Sequence, residues 1–417
     1  MIKTNDNSKV ASHKNQKNDM RKEWEIKKLG EIIKLEYGKP LDNSKRKPNG
    51  KYPVYGANGE KDRTDQFYYD KKSIIVGRKG SAGEINLTEN KFWPLDVTYF
   101  VTFDESENNF QFIYHLLNSL ELPKLARGVK PGINRNEVYE INVAIPSLAE
   151  QKRIVEILDE AFAAIDKAKA NVEKNLQNAK EFFESYLQNV FENKGEDWEE
   201  NSLQAITKII NGYAFASNDF KSTNTVKSVK ITNVGVKEFV EETDNYLPEK
   251  FKNTLPEFQV KKGYIVIALT RTIISAGLKV AVVPSTYDGA LLNQRVAALV
   301  PNGKLINQSF LFNYLKTDGV AKYVLAHVNT LMQPNLSITD LKNLIVPYPS
   351  IKKQEIIVNK LDELNIKTKK LETIYQQKLN DLEELKKSIL QKAFNGELSE
   401  AGFSGLKDKQ DLKAEAV

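Results

Sequence analysis

Two loops that share a short motif contain the residues best suited to binding chemistry. The first, residues 77–83, is basic and glycine-rich. Its backbone N–H groups could cradle a phosphate, although its spacing fits an ordinary turn between strands better. The second, residues 269–277, repeats the arginine and the Ser-Ala-Gly of the first but few of its glycines. The repeated arginine is therefore the candidate functional element, as a contact to phosphate or guanine. The candidates in these loops are Arg78, Lys79, Arg271 and Thr272.

A basic stretch with interleaved aromatic residues leads into the first loop. Residues 39–79 contain eleven basic and five acidic residues. Such basic side chains bind phosphates, and aromatic ones stack on bases or contact thymine methyl groups, but the solvated face of a β-rich domain explains the pattern too. In the Tyr-Gly-Ala-Asn-Gly segment at 55–59, the Asn could bridge an adenine, yet Asn-Gly is first of all a turn signal. The candidates here are Lys45, Arg46, Lys47, Tyr55, Asn58 and Arg63.

The second half of the chain offers fewer and different candidates. Asn293-Gln294-Arg295 places three polar side chains beside a β-like run, which suits reading of base edges or a satisfied strand end equally well. Asn211-Gly212-Tyr213 is typical of a turn with a packing tyrosine. The candidates here are Asn211, Tyr213, Lys230, Asn293, Gln294 and Arg295.

Common catalytic motifs are missing from the sequence. It contains no phosphate-binding P-loop, no strand–Gly-x-Gly-x-x-Gly–helix unit, no Gly-x-Ser-x-Gly and no Asn/Asp-Pro-Pro-aromatic motif. The absence of cysteine excludes disulfides, a cysteine nucleophile and thiolate metal sites, and three scattered histidines disfavour a histidine cluster. The missing motifs therefore argue against catalysis by this chain, and the composition argues against a metal site.

The sequence repeats itself internally. Trp-Glu, Leu, Ile and Gly recur at one spacing after Trp24 and again after Trp198, 174 residues later. A second repeat, displaced by 203 residues, consists of Pro-Ser, Gln and Leu-Asp-Glu, beginning at Pro146 and at Pro349. A chain with two copies of one module is typical of a protein that acts on two similar sites.

The repeats divide the chain into segments of different character, and the predicted fold class is α+β. Short β-like runs, turns and one predicted helix in each of 24–146 and 198–348 indicate two irregular α/β domains, with helices over 110–122 and 310–326. Segments 147–197 and 349–396 each predict one long helix, and 1–23 and 397–417 read as a disordered N-terminal tail and a polar C-terminal tail.

Both long helices carry a heptad seam. Apolar or aromatic residues occupy nine of ten seam positions from Leu158 to Val190 and eight of ten from Ile357 to Ile389. A helix of about 40 residues, roughly 60 Å long, needs a partner for such a seam. The two helices can serve each other as an intramolecular antiparallel coiled coil with a pseudo-twofold repeat, and homodimerisation is the alternative.

Overall composition adds only mild constraints. The 417 residues allow two or more domains, and a net charge of +6 is a modest excess of basic residues. No apolar run is long enough to cross a membrane, and the N-terminus lacks the apolar core of a signal peptide. The expected location is the cytoplasm, without membrane contact.

Several segments together resemble one protein family. Four segments are similar to those of specificity subunits of type I restriction-modification systems. They are residues 145–155, which lead into the first long helix and are called its lead-in, and residues 386–398, 291–296 and 52–59. The likeness covers about residues 24–398. It departs from the family pattern at 350–354, Ser-Ile-Lys-Lys-Gln, where Leu-Ala-Glu-Gln is usual.

The resemblance implies a function. Domains 24–146 and 198–348 would be target-recognition domains, each reading half of a bipartite double-stranded DNA site, and the helices would set the spacing between the half-sites. Two methyltransferase subunits would dock on the helices and methylate adenine with S-adenosylmethionine. Restriction subunits would use ATP and Mg²⁺ for translocation and cleavage. The chain itself would bind no cofactor and catalyse nothing. A coiled-coil scaffold without specific DNA reading is the alternative, and a stand-alone enzyme on nucleic acid is a third, disfavoured by the absent motifs.

Overall fold

The computed structural model of this protein describes residues 24–241, 246–328 and 334–398. The predicted N-terminal tail and all but the first two residues of the predicted C-terminal tail lie outside the described residues. The chain forms two compact units, one ending at Glu173 and resuming at Gln377, the other spanning Lys174–Gln376. Each unit therefore combines one irregular segment with one part of each long helix.

The first unit contains nine strands and three short helices among its described residues. Its strands are β1 (Glu25–Lys28), β2 (Ile33–Tyr37), β3 (Tyr52–Gly56), β4 (Gly59–Thr64), β5 (Ser73–Gly77), β6 (Ile85–Thr88), β7 (Trp93–Pro94), β8 (Thr98–Phe103) and β9 (Asn142–Ile145). Its short helices are α1 (Leu29–Ile32), α2 (Phe110–Ser119) and α3 (Arg135–Tyr139). The long helix α4 (Leu148–Glu192) follows β9 and continues into the second unit.

The second unit repeats this order with insertions. Its strands are β10 (Glu199–Ser202), β11 (Thr207–Asn211), β12 (Ser228–Val229), β13 (Ile265–Ala268), β14 (Ile273–Ile274), β15 (Gly277–Leu278), β16 (Val280–Val282), β17 (Leu291–Leu292), β18 (Val296–Pro301) and β19 (Ile345–Tyr348). Its short helices are α5 (Leu203–Ile206), α6 (Lys250–Thr254), α7 (Gln308–Leu315), α8 (Asp318–His327) and α9 (Ile338–Asn343). The long helix α10 (Ile351–Phe394) ends in the first unit.

A four-stranded antiparallel sheet with the same strand order forms the centre of each unit. The order is β2-β8-β5-β6 in the first unit and β11-β18-β13-β16 in the second. The β5 residues 73–77 and the β13 residues 265–268 are buried throughout, as their apolar runs predict for central strands packed on both faces. The predicted α+β fold is confirmed by this mixture of helices and antiparallel sheets.

The two long helices pack against each other within each unit, and in the first unit they run antiparallel, as the heptad pattern predicts. In the first unit, the Lys169 ammonium lies 2.6 Å from the Glu383 carboxylate and Lys386 lies 3.0 Å from Asp166, so numbering rises along α4 as it falls along α10. In the second, Leu187 of α4 and Leu361, ten residues into α10, share one apolar cluster. All ten seam positions of α4 are at least half-buried, whereas Leu371 and Lys378 of α10 are exposed and interrupt its seam.

Two short-helix predictions require correction. The helix predicted over 110–122 ends at Ser119, and a separate 3-10 turn covers Leu122–Leu125. The helix predicted over 310–326 is two helices, α7 and α8, because the backbone at Thr317 is extended. The Thr317 hydroxyl donates a hydrogen bond back to the Tyr314 carbonyl of α7 at 2.7 Å. Within the described ranges, no helix is both long and apolar enough to span a bilayer.

Candidate nucleic-acid interface

One edge of each four-stranded sheet gathers most of the candidate residues. In the first unit, β2 ends at Tyr37 and β5 ends at Gly77 beside Thr98, where β8 begins. In the second, Asn211 at the end of β11 and Ala268 at the end of β13 flank the start of β18. We call this the loop edge of each sheet. Antiparallel pairing brings the loops that follow β2 and β5, or β11 and β13, to one place.

A repeated glycine explains how the chain passes this edge. A Cβ on Gly38 would lie 2.1 Å from the Leu95 carbonyl oxygen, and one on Gly212 would lie 2.0 Å from that of Asn293. Only glycine permits so close a backbone approach. The residues after these glycines are held alike, since the Lys39 N–H donates to Pro94 and the Tyr213 N–H donates to Leu292, both at 2.8 Å.

The glycine-rich loop 77–83 is a structural turn rather than a phosphate cradle. Of the backbone N–H groups from 77 to 84, all but that of Ser81 donate to backbone carbonyls. Gly80 donates to Pro131 at 2.8 Å, and the Arg78 carbonyl accepts from Ile133 at 3.1 Å, so a second loop, 127–132, lies beside the first. The N–H groups that would bind a phosphate are thus already used.

The side chain of Arg78 is positioned by an aromatic cluster that sequence reasoning missed. Its guanidinium lies 5.3 Å from the centre of the Tyr37 ring, and the Arg135 guanidinium lies 4.7 Å from the same ring. Tyr37 also packs on Tyr99, whose pKa burial raises. The Arg78 Nε atom is buried without a hydrogen-bond partner in the described part of the chain.

The loop edge of the first unit is more basic than the candidate set indicated. Arg127, Lys130 and Arg135 add to Arg78 and the exposed Lys79. A sequence signal for these residues exists, because residues 123–135 contain four basic residues and no acidic one. Their adjacency to Arg78 depends on the pairing of loops 77–83 and 127–132, which sequence spacing does not reveal.

Tyr55 and Asn58 also reach this edge but differ in availability. Ala57 and Asn58 form the tight turn between β3 and β4. This turn lies against the end of β5, because a Cβ on Gly77 would be only 2.7 Å from the Ala57 carbonyl oxygen. Asn58 is exposed there. Tyr55 is partly buried, with its ring against Phe92 and its hydroxyl donating to the Leu87 carbonyl at 3.3 Å. The turn is therefore real, and Asn58 is the side chain it presents.

Four basic candidates lie elsewhere, at the opposite end of the β3–β4 hairpin. Each except Lys45, which is exposed, is paired with nearby acidic groups or carbonyls. Lys47 lies 2.6 Å from Asp65, and Arg46 lies 3.6 Å from Asp62 and donates to the Leu41 carbonyl. Arg63 donates to Gly50, Lys51 and Glu60 at 2.7 to 3.0 Å. For Arg46, Lys47 and Arg63, the structure matches the plainer interpretation of a charged, solvated face.

The loop edge of the second unit brings its polar candidates together. The Gln294 N–H donates to the Tyr213 carbonyl at 2.9 Å, and the Leu269 N–H donates to Arg295 at 2.8 Å. The Asn293 N–H donates to Val229, which places Lys230 alongside. Tyr213 packs on Phe215 and Phe258 yet remains 39% exposed. The side chains exposed here are those of Asn211, Tyr213, Gln294 and Arg295, with Asn293 and Lys230 half-buried.

The repeated arginines do not occupy equivalent positions. The Arg78 carbonyl accepts from Ile133, and the corresponding acceptor in the second unit is Leu269, which accepts from Leu336 at 2.9 Å. Arg271 lies two residues further on, exposed and in the left-handed region at φ 49°. Burial lowers the pKa of Lys279, and the nearby positive charge of Arg271 lowers it further. The inference from matched positions was therefore wrong, although both arginines lie at a loop edge.

Thr272, beside Arg271, is fully buried. Its N–H donates to the Pro334 carbonyl at 3.0 Å and its hydroxyl accepts from the Leu336 N–H at 3.3 Å. In this position its side chain holds the loop and presents no surface to a ligand. Among the described residues, no group of three or more acidic or histidine side chains is arranged to hold a metal ion.

Comparison with known proteins agrees with this duplicated architecture. Residues 21–175 and 195–384 match the model of the type I restriction modification DNA specificity domain. The chain is 26% identical over 409 residues to the type I restriction enzyme MjaVIII specificity subunit of Methanocaldococcus jannaschii, covering 90% of this chain and 93% of that protein. It is 25% identical to the EcoDI specificity subunit of Escherichia coli, over 90% of this chain and 89% of that one.

Solved structures share the fold. A chain from a structure of the type I R-M system superposes with a TM-score of 0.68 at 17% identity, covering 90% of this chain and 98% of that one. The HsdS subunit from Thermoanaerobacter tengcongensis gives a TM-score of 0.57 at 18% identity, covering 90% and 97%. Because the family model matches both halves and most of its length, the chain belongs to the type I restriction-modification DNA specificity family.

Proposed function

We propose that this chain is the DNA sequence-recognition subunit of a type I restriction-modification complex, and that each loop edge reads one half of a bipartite DNA site. The observation that carries the proposal is the recurrence of one sheet edge, built by the same backbone bonds in both units, with exposed cationic, amide or aromatic side chains at each. Membership of the specificity family supports it.

The side chains at the two edges favour two different half-sites. The first unit presents Arg78, Lys79 and Tyr37, and arginine pairs best with the O6 and N7 atoms of guanine. The second presents Asn293 and Gln294, whose amides suit the N6 and N7 atoms of adenine. Dimers with identical side chains in both subunits read palindromic DNA. A repeated backbone with different side chains in its two copies would instead read an asymmetric target.

The long helices would complete this function in two ways. Their antiparallel pairing would fix the spacing between half-sites, and the repeated helices would dock two methyltransferase subunits. Adenine methylation with S-adenosylmethionine, and translocation and cleavage with ATP and Mg²⁺, would belong to the partner subunits. This chain would bind no cofactor and would act in the cytoplasm, where the DNA is accessible.

The test is a binding experiment with the complex formed by this chain and its methyltransferase partners. Duplexes selected from a random pool should share a motif of two short half-sites with a fixed gap, and binding should weaken steeply with salt because phosphates are contacted. Low affinity for all duplexes alike, with little salt dependence, would instead favour a coiled-coil scaffold without specific reading.

A further inference from the structure

One apolar side chain stands out at the loop edge of the first unit. Val129, at the tip of loop 127–132, is 105% exposed, more than any other large apolar side chain in the described residues. An isolated exposed valine needs no explanation by itself, but its setting is unusual.

The loop that carries Val129 is firmly held. Arg127 and Gly132 exchange backbone hydrogen bonds of 3.0 and 3.1 Å, which close the loop into a short ribbon. Gly132 also pairs with Lys79, and Gly80 donates to Pro131 at 2.8 Å. These bonds anchor the ribbon to the loop that contains Arg78, so the position of its tip is fixed.

The surroundings of Val129 indicate the kind of ligand. Arg127 and Lys130 flank it in the same loop, and Lys79 lies on the paired loop, all three exposed. Arg127 is only loosely paired, 3.7 Å from Glu137. Protein interfaces tend to exclude lysine from around an apolar anchor, whereas a DNA groove offers phosphates to the cations and thymine methyl groups to the apolar tip. The major groove, about 12 Å wide, admits such a two-stranded ribbon.

We propose that Val129 contacts the 5-methyl group of a thymine in the half-site read by the first unit, with Arg127 and Lys130 on the flanking phosphates. This inference rests on the proposed function and adds a specificity-determining residue to it. An apolar contact of this kind discriminates thymine from cytosine and from uracil, neither of which carries the methyl group.

The experiment uses the complex with its methyltransferase partners and the DNA target obtained by selection. Each thymine of the target is replaced in turn by deoxyuridine, which removes only the methyl group. At one position we expect binding to weaken about fourfold, because the contribution of one buried methyl group is lost. Val129→Ser should weaken binding to the thymine duplex by a similar factor and should be insensitive to deoxyuridine at that position. Ile26→Ser, which replaces another exposed apolar side chain, on β1 and 69% exposed, should behave as the unaltered chain.

Two results would overturn the inference while leaving the proposed function intact. One is a loss of binding on deoxyuridine substitution that is equal for the unaltered chain and for Val129→Ser at every position. The other is fluorescence of a 2-aminopurine in the target that rises on binding only when Val129 is present, since this would make Val129 a wedge between base pairs. Absence of any sequence-specific binding by the unaltered complex would instead contradict the proposed function itself.

Discussion

The side-chain carbonyl of Gln151 accepts a hydrogen bond of 2.8 Å from the backbone N–H of Asn109, tying the start of α4 to the N-cap of α2. The Gln151 amide also donates to the carbonyls of Glu107 and Pro146, at 3.2 and 3.0 Å. Gln354 makes the same three bonds in the second unit, to Asn307, Leu305 and Pro349, at 2.7 to 2.9 Å. The glutamine of the repeated lead-in is thus a buried clamp that attaches each long helix to its domain.

Replacing this glutamine should destabilise the unit that contains it. Gln151→Leu leaves one N–H and two carbonyls without their partners, which should cost about 2–4 kcal/mol of unfolding free energy. Gln354→Leu should act similarly on the second unit, and the two losses should add, because no partner is shared. Urea unfolding followed by fluorescence measures this, with the exposed Gln177→Leu as control. Losses no larger than that of the control would show that the clamp is dispensable.

Substitutions at the loop edges should weaken DNA binding without unfolding the chain. Arg78→Ala removes a guanidinium held on Tyr37, and Arg271→Ala removes an exposed one, so each should weaken specific binding about tenfold or more. Lys47→Ala, at the far end of the β3–β4 hairpin and paired with Asp65, should change it less than twofold. Fluorescence anisotropy with the target duplex measures this, with thermal unfolding alongside. Equal effects of Arg78→Ala and Lys47→Ala would contradict the assignment of the loop edge.

A half-buried lysine should make the second unit more stable in mildly alkaline solution. Burial between Phe183 and Phe312, reinforced by the nearby Lys237, lowers the pKa of Lys316 to about 8. The unfolded state then holds this proton more tightly than the folded state. The penalty is therefore present below about pH 8 and is relieved as the pH rises toward the ordinary lysine pKa of about 10.4.

Lys316→Met should remove this penalty while keeping the packing. At pH 7 we expect the second unit to gain about 1–2 kcal/mol in unfolding free energy, and its stability to lose the rise between pH 8 and 10. Urea unfolding at a series of pH values is the measurement. If Lys316→Met destabilises the unit at pH 7 and keeps the rise, the half-buried ammonium is not its origin.

The paired helices should act as a ruler for the half-site gap. Deleting residues 166–172 of α4 together with 380–386 of α10 removes one heptad from each helix and preserves both seams, since Asp166 lies opposite Lys386. The helices lose about 10 Å, so the gap should shorten by about three base pairs. Selection of target duplexes measures the gap, and deletion from α4 alone, which breaks the register, serves as the destabilised comparison. An unchanged gap in the doubly shortened chain would refute the ruler.

The repeat and the heptads made the architecture predictable, because both are periodic signals that survive in the sequence. The candidate site was less predictable from the sequence. Residues 45–47 and 63 looked like part of one basic surface with Arg78, but the β3–β4 hairpin carries them to its other end. The contact of both Arg78 and Arg135 with the Tyr37 ring joins residues far apart in sequence. The shifted position of Arg271 reflects a longer loop, because the segment from Ala268 to Val280 is longer than that from Gly77 to Ile85, and no periodicity marks the register there.

The most direct test of the central claim is a map of methylated adenines in the genome of a host carrying the complete system. A second strain should carry a chain in which residues 198–348 are replaced by the corresponding segment of a related specificity subunit. We predict a two-part motif in the first strain and, in the second, a motif with one half and the gap unchanged and the other half replaced. A motif that stays the same, or that changes in both halves, would contradict the account in which each unit reads one half-site.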